Sequence, residues 1–241
     1  MHANDRDEPV SDPGAALAEV ARLRSRTRQD GRGWWFPLTL FGVLVLLATP
    51  LYWGGPPLED QDYSTTNPFV IVLMMAFGGV FTAHPVAIAV YWLVALIVGF
   101  VGSGLWYRRE AQRIGLRRPV RAFVLTGLAI TFALVLLQSV PYASFLLFWV
   151  SFRGTLGIAI IAVALLVLAR LERSAGLTAV AVVFLGLAVV VSTYNLENLV
   201  FPWSVIRGEW SGATAVVAPG LFLLVAGLVA RKHSGRRTAE L

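Results

Sequence analysis

The chain has 241 residues, 57% of them hydrophobic and only 14% charged, with a mean hydropathy of +0.70; this excludes an ordinary soluble domain and points to the membrane class. The formal charge of +6 would suit nucleic acid in a soluble protein, but the arginines flank apolar runs, where membrane orientation accounts for them, so no nucleic-acid partner is expected. With no cysteine, disulfides, thiolate metal sites, Fe–S clusters and cysteine nucleophiles are excluded.

Residues 1–33 read as a cytoplasmic tail. Asp5, Asp7, Glu8 and Asp12 open it, and Ser11-Asp12-Pro13 marks a helix start. In "GAALAEVARLRSRTR", Leu17, Val20 and Leu23 fall along one side with arginines around the rest, which predicts a short amphipathic surface helix. It serves as a basic lead to the first span or as a dock for a partner or anionic lipid. No cleavable signal is expected, because a long polar lead precedes the first apolar run and Leu51-Tyr52-Trp53 follows it in place of a small-x-small site.

A membrane span needs about 20 apolar residues. Six segments qualify: Trp35 to Trp53, Val86 to Trp106, Val120 to Val140, Gly154 to Ala169, Leu177 to Tyr194 and Ala213 to Ala230. A seventh candidate, "FVIVLMMAFGGVFTAHP" (Phe69 to Pro85), is tested by parity. If it crossed, the next span would deliver the arginine-rich "RREAQRIGLRRPVR" to the outer face. If it does not, every Lys and Arg except Arg153 and Arg207 lies on the cytoplasmic side, the asymmetry that sets orientation. The expected fold is therefore all-α: a polytopic transmembrane bundle of six spans over residues 34–231. Both termini are cytoplasmic, a basic tail follows over 232–241, and short re-entrant or interfacial segments lie outside.

The seventh segment is one of these outer elements. As a helix it would reach only about 22 Å, and Gly78-Gly79 interrupts it. "YASFLLFWVSF" (Tyr142 to Phe152) and "LENLVFPWSVIRGEW" (Leu196 to Trp210) are also outer, aromatic and too short or broken to cross. Within the spans, Gly99 and Ser103 stand at small-xxx-small spacing with Gly102 and Gly104 beside them, suiting close packing against a helix of this chain or of another subunit. Pro219-Gly220 should kink or loosen the last span.

Two groups of residues are candidates for function. At the outer rim stand Arg153, Tyr194, Asn195, Glu197, Trp203 and Arg207, where Glu197 with Arg153 or Arg207 forms a structural ion pair or orients a ligand. On the cytoplasmic side Arg108, Arg109, Arg113, Arg117, Arg118 and Arg121 could meet a cytosolic partner or anionic lipid, or set orientation alone. His84 with Glu59, Asp60 and Asp62 lacks ligand spacing, so no metal and no cofactor is expected. The central portions of the six spans hold no Asp, Glu, His, Lys or Arg, and HExxH, GxSxG and GxxxxGK are all missing. A non-enzymatic protein is the expectation.

Over most of its length the chain resembles the six-span integral membrane proteins of high-GC Gram-positive bacteria. The resemblance rests on "GWWFPLTLFGVLVLLATPLYW", "AIAVYWLVALIVGFVGSGLWYRREAQRIG" and the arginine-rich lead. It implies a bacterial plasma membrane and this topology, and no activity. Two roles follow as expectations: an accessory or sensory component whose aromatic outer cap meets lipid or an amphiphile, and a permease subunit similar to the ABC-2 type exporters, working with a separate cytosolic ATPase.

Overall fold

Residues 14, 33–53, 67–79, 82, 84–114, 120–137, 153–194 and 211–238 are described by the computed structural model. Among them the fold is all-helical, with seven α-helices and no strand. They are α1 (Trp35–Leu47), α2 (Pro68–Leu73), α3 (Pro85–Ile114), α4 (Val120–Leu137), α5 (Leu156–Glu172), α6 (Ala175–Thr193) and α7 (Ser211–Thr238). The lead helix expected before residue 33 and the apolar stretches 142–152 and 196–210 lie outside the described residues.

Each of the six expected spans coincides with a helix. Among the described residues four helical segments are long and apolar enough to cross a membrane: Trp35–Tyr52, Pro85–Glu110, Ala175–Thr193 and Gly212–Lys232. The apolar part of α4, Val124–Leu137, is shorter, and α5 has 17 residues. Val86, Val90, Val94, Val98 and Leu105 on α3, Val182, Val183 and Val189 on α6, and Leu221, Val225 and Leu228 on α7 are exposed. So wide an apolar surface is a liability in water and is compatible with an integral membrane protein surrounded by lipid.

Helix ends follow local chemistry. Pro50 has no N–H to donate, so α1 tightens into a 3-10 turn over Thr49–Tyr52, with Leu51 N–H bonding Ala48 O at 3.0 Å. The segment expected to be re-entrant or interfacial and not to cross forms α2, which widens into a π turn at Met74–Gly78 and stops at Gly79, φ 73°. Six residues of α2 and five of the π turn rise only about 15 Å, half a hydrocarbon core. The interruption at Gly78-Gly79 is thus real, and its geometry is that of a half-helix.

The connection between α5 and α6 is Arg173 and Ser174 alone, which makes these helices an antiparallel hairpin. Its turn is a Schellman motif, Ser174 N–H bonding Ala169 O and Arg173 N–H bonding Arg170 O, both at 3.4 Å. Ser174 then caps α6 by accepting from Leu177 N–H at 3.4 Å. The buried residues of α6, Leu177, Ala181, Phe184, Ala188 and Val191, recur every three or four positions, the stripe of a helix packed on one side.

The broadest helix contact joins α1 to α7, the first and last helices of the bundle. Glycines permit it: a methyl group added to Gly42 would lie 2.7 Å from Leu224 N, and one added to Gly227 would lie 2.9 Å from Thr39 N. In a membrane such close backbone approach replaces the hydrophobic drive that water would supply. Pro219 lies inside α7 without ending it, and Gly220 packs against Leu46. The small-residue face of α3 finds its neighbour within the chain, since Gly99 meets Phe41 and Gly102 meets Leu40 of α1. Phe41, Phe77, Trp92, Phe100 and Phe184 fill the core, with Phe41 and Phe100 edge to face at 5.5 Å. Ser103, fully buried, has no hydrogen-bond partner among the described residues.

Candidate functional site

The polar chemistry of the described residues gathers at the two ends of the bundle. At the end where α1, α2 and α6 finish and α3, α5 and α7 begin, Tyr52 is the hub. Its hydroxyl donates to Gly154 O at 2.5 Å and accepts from Trp92 Nε1 at 2.7 Å. One phenol thereby ties the end of α1 to the start of α5 and to the first half of α3.

Gly154 adopts φ 67° and abuts the half-helix. A methyl group there would lie 2.8 Å from Phe77 O, and one on Gly79 would lie 2.8 Å from Gly154 N. Backbone therefore packs on backbone at this joint, and only glycine fits both the space and the positive φ. The carbonyl end of the half-helix is set against the amino ends of α3 and α5, so opposed helix dipoles face each other favourably. Thr82 closes the half-helix by donating to Gly78 O at 2.6 Å. Gly212 completes the joint from α7, with Tyr52 O 2.8 Å from the position of a methyl group.

Arg153 and Tyr194, two of the outer-rim candidates, are brought to this same end. Arg153 Nη1 donates to Val191 O at 3.1 Å, placing a cation at the carboxyl end of α6, where the helix dipole favours it. Tyr194 follows α6 as its exposed C-cap. Beneath them Thr155 and Ser192 share a hydrogen bond of 2.9 Å, and Ser192 donates to Ala188 O at 2.7 Å. Asn195, Glu197, Trp203 and Arg207 lie outside the described residues. His84 is exposed at the start of α3.

The opposite end is aromatic and basic. Trp106 stacks on Phe36 at 5.0 Å and meets Trp35 edge to face at 5.7 Å. The guanidinium of Arg231 lies 5.2 Å from the Trp35 ring centroid. Tyr107 donates to Glu172 Oε1 at 2.5 Å, joining α3 to α5 at this level. Arg108 and Arg109 are exposed beside it. Arg113 and Arg121 fall in α3 and α4 with side chains outside the described residues, as do Arg117 and Arg118 altogether.

Tyr52, Trp92, Gly154, Thr155 and Ser192 are not among the candidate site residues drawn from the sequence. A buried tyrosine hydroxyl or tryptophan N–H requires a partner, but in sequence both rings look like members of an interfacial belt. The hydroxyls, indole and carbonyls of the joint can fix helix ends and position what flanks them. Among the described residues no group of three His, Asp or Glu could hold a metal ion. No protein family, curated protein or solved structure matches the chain.

Proposed function

We propose that the chain is a non-enzymatic integral protein of a bacterial plasma membrane, an accessory or sensory component whose outer surface meets lipid or an amphiphilic molecule. On this reading the Tyr52 joint faces outward and the basic, aromatic end faces the cytoplasm. The observation that carries it is the exposure of Trp53, Met75 and Tyr194, at 43%, 65% and 65%, around that joint. A short apolar half-helix with exposed large side chains, seated on a rigid frame of helix ends, offers an amphiphile a place to bind without crossing the bundle.

A second reading is a permease subunit similar to the ABC-2 type exporters, supported by the broken half-helix and by exposed Arg108 and Arg109, which a cytosolic ATPase could contact. Mass spectrometry of what copurifies with the tagged full-length protein from its native membrane separates the two. A retained lipid or small amphiphile, lost in a Trp53→Ala, Met75→Ala double variant, supports the first. A stoichiometric ATPase, lost when Arg108 and Arg109 are changed to Gln, would replace it with the second.

A further inference from the structure

Arg173 is the only non-glycine residue among those described with a positive φ, 49°. It occupies the left-handed position of the Schellman turn, which glycine fills at least cost and where an L side chain is strained. Its side chain is exposed, and among the described residues neither Arg173 nor Arg170 makes an ion pair. The fold thus holds an exposed guanidinium in a strained place where, among the described residues, it has no ion-pair partner.

Its surroundings carry more cations than carboxylates: among the described residues the acids at this level are Glu110, half-buried beside Arg109, and Glu172. The Tyr107 to Glu172 hydrogen bond sets the ends of α3 and α5 level, so Arg108 and Arg109 flank the same region as Arg170 and Arg173. The neighbouring carboxylate, that of Glu172, already accepts from Tyr107. Through Trp106 and Trp35 the level continues to Arg231, with Lys232 exposed next to it. Cations stand along the rim, and beneath them runs an aromatic shelf of Trp35, Phe36, Trp106 and Tyr107, the layering of a headgroup boundary.

Resting on the membrane reading above, we infer that the α5–α6 turn is an anionic-phospholipid site, in which Arg170 and Arg173 receive the headgroup phosphate from the cytoplasmic leaflet. Guanidinium suits phosphate because its planar donors meet two oxygens at once. Arginine that served orientation alone would gain nothing from the strained position, since a charge one residue away would bias insertion equally.

The inference predicts effects of opposite sign in one variant. Full-length protein, Arg173→Gly and Arg170→Gln are each reconstituted in vesicles of phosphatidylcholine alone or of phosphatidylcholine with phosphatidylglycerol, and melting is followed by tryptophan emission. Arg173→Gly should melt at or above the wild-type temperature in phosphatidylcholine, because the backbone strain is relieved. It should also lose most of the upward shift that phosphatidylglycerol gives the wild type. Arg170→Gln should lose the same shift, which keeps the test sound if Arg173→Gly folds poorly. An undiminished phosphatidylglycerol shift in both variants overturns the site, and inorganic phosphate reproducing the shift in phosphatidylcholine overturns its assignment to a lipid. Wild type that fails to float with either vesicle overturns the membrane reading as well, whereas flotation without a phosphatidylglycerol shift removes this inference alone.

Discussion

Gly154 and Gly186 are the same residue under opposite constraints. At Gly154 a side chain must adopt φ 67° and displace the Phe77 carbonyl. Gly154→Ala should therefore cost about 2–4 kcal/mol, combining backbone strain with overpacking. Gly186, inside α6, has nothing within 4 Å of an added methyl group, so Gly186→Ala should be neutral or stabilise by up to about 1 kcal/mol. Thermal melts of both variants in one detergent check the contrast, and equal effects would remove the joint as a constraint. Tyr52→Phe keeps the ring but leaves Trp92 Nε1 and Gly154 O without the partner shown here. A loss of about 1–3 kcal/mol is expected from stranding buried polar groups, and Trp92 emission should change with it.

The elements that sequence revealed are those whose signal is local. Apolar runs located every long helix, and Gly78-Gly79 located the end of the half-helix, because length and backbone freedom belong to the segment itself. Partnership did not show. Gly42 and Gly227 look like ordinary small residues until Leu224 and Thr39 are seen against them, and Tyr52 finds Gly154 across 102 positions. Sequence put Arg153 just before the expected span that begins at Gly154, but its acceptor, Val191 O, is a backbone atom that no residue type announces. The α1–α7 contact gives this scale its own prediction. Gly227→Leu should force the two helices apart and cost about 1–3 kcal/mol or more, whereas Leu228→Ala, at an exposed position of the same helix, should change stability by less than about 0.5 kcal/mol. Melting of the two variants side by side measures the difference.

For the whole molecule the orientation can be read directly, because the chain has no cysteine of its own. His84 and Arg109 stand near opposite ends of α3, a helix of 30 residues that is about 45 Å long and exceeds the hydrocarbon core. In intact cells an impermeant maleimide should label His84→Cys and spare Arg109→Cys, with both labelled after lysis; the reverse pattern would invert the topology. The α1–α7 contact also carries a consequence for how the protein is made. Helix α1 begins at Trp35 and α7 at Ser211, so at bacterial or eukaryotic elongation rates α1 waits roughly 9–35 s for its principal neighbour. The α5–α6 hairpin, joined by two residues, closes as soon as it emerges. Synthesis thus completes the local pair early and seals the bundle last, and a ribosome that stops short of Ser211 releases a chain whose first helix still presents the unfilled notch at Gly42, a mark by which unfinished copies can be told from finished ones.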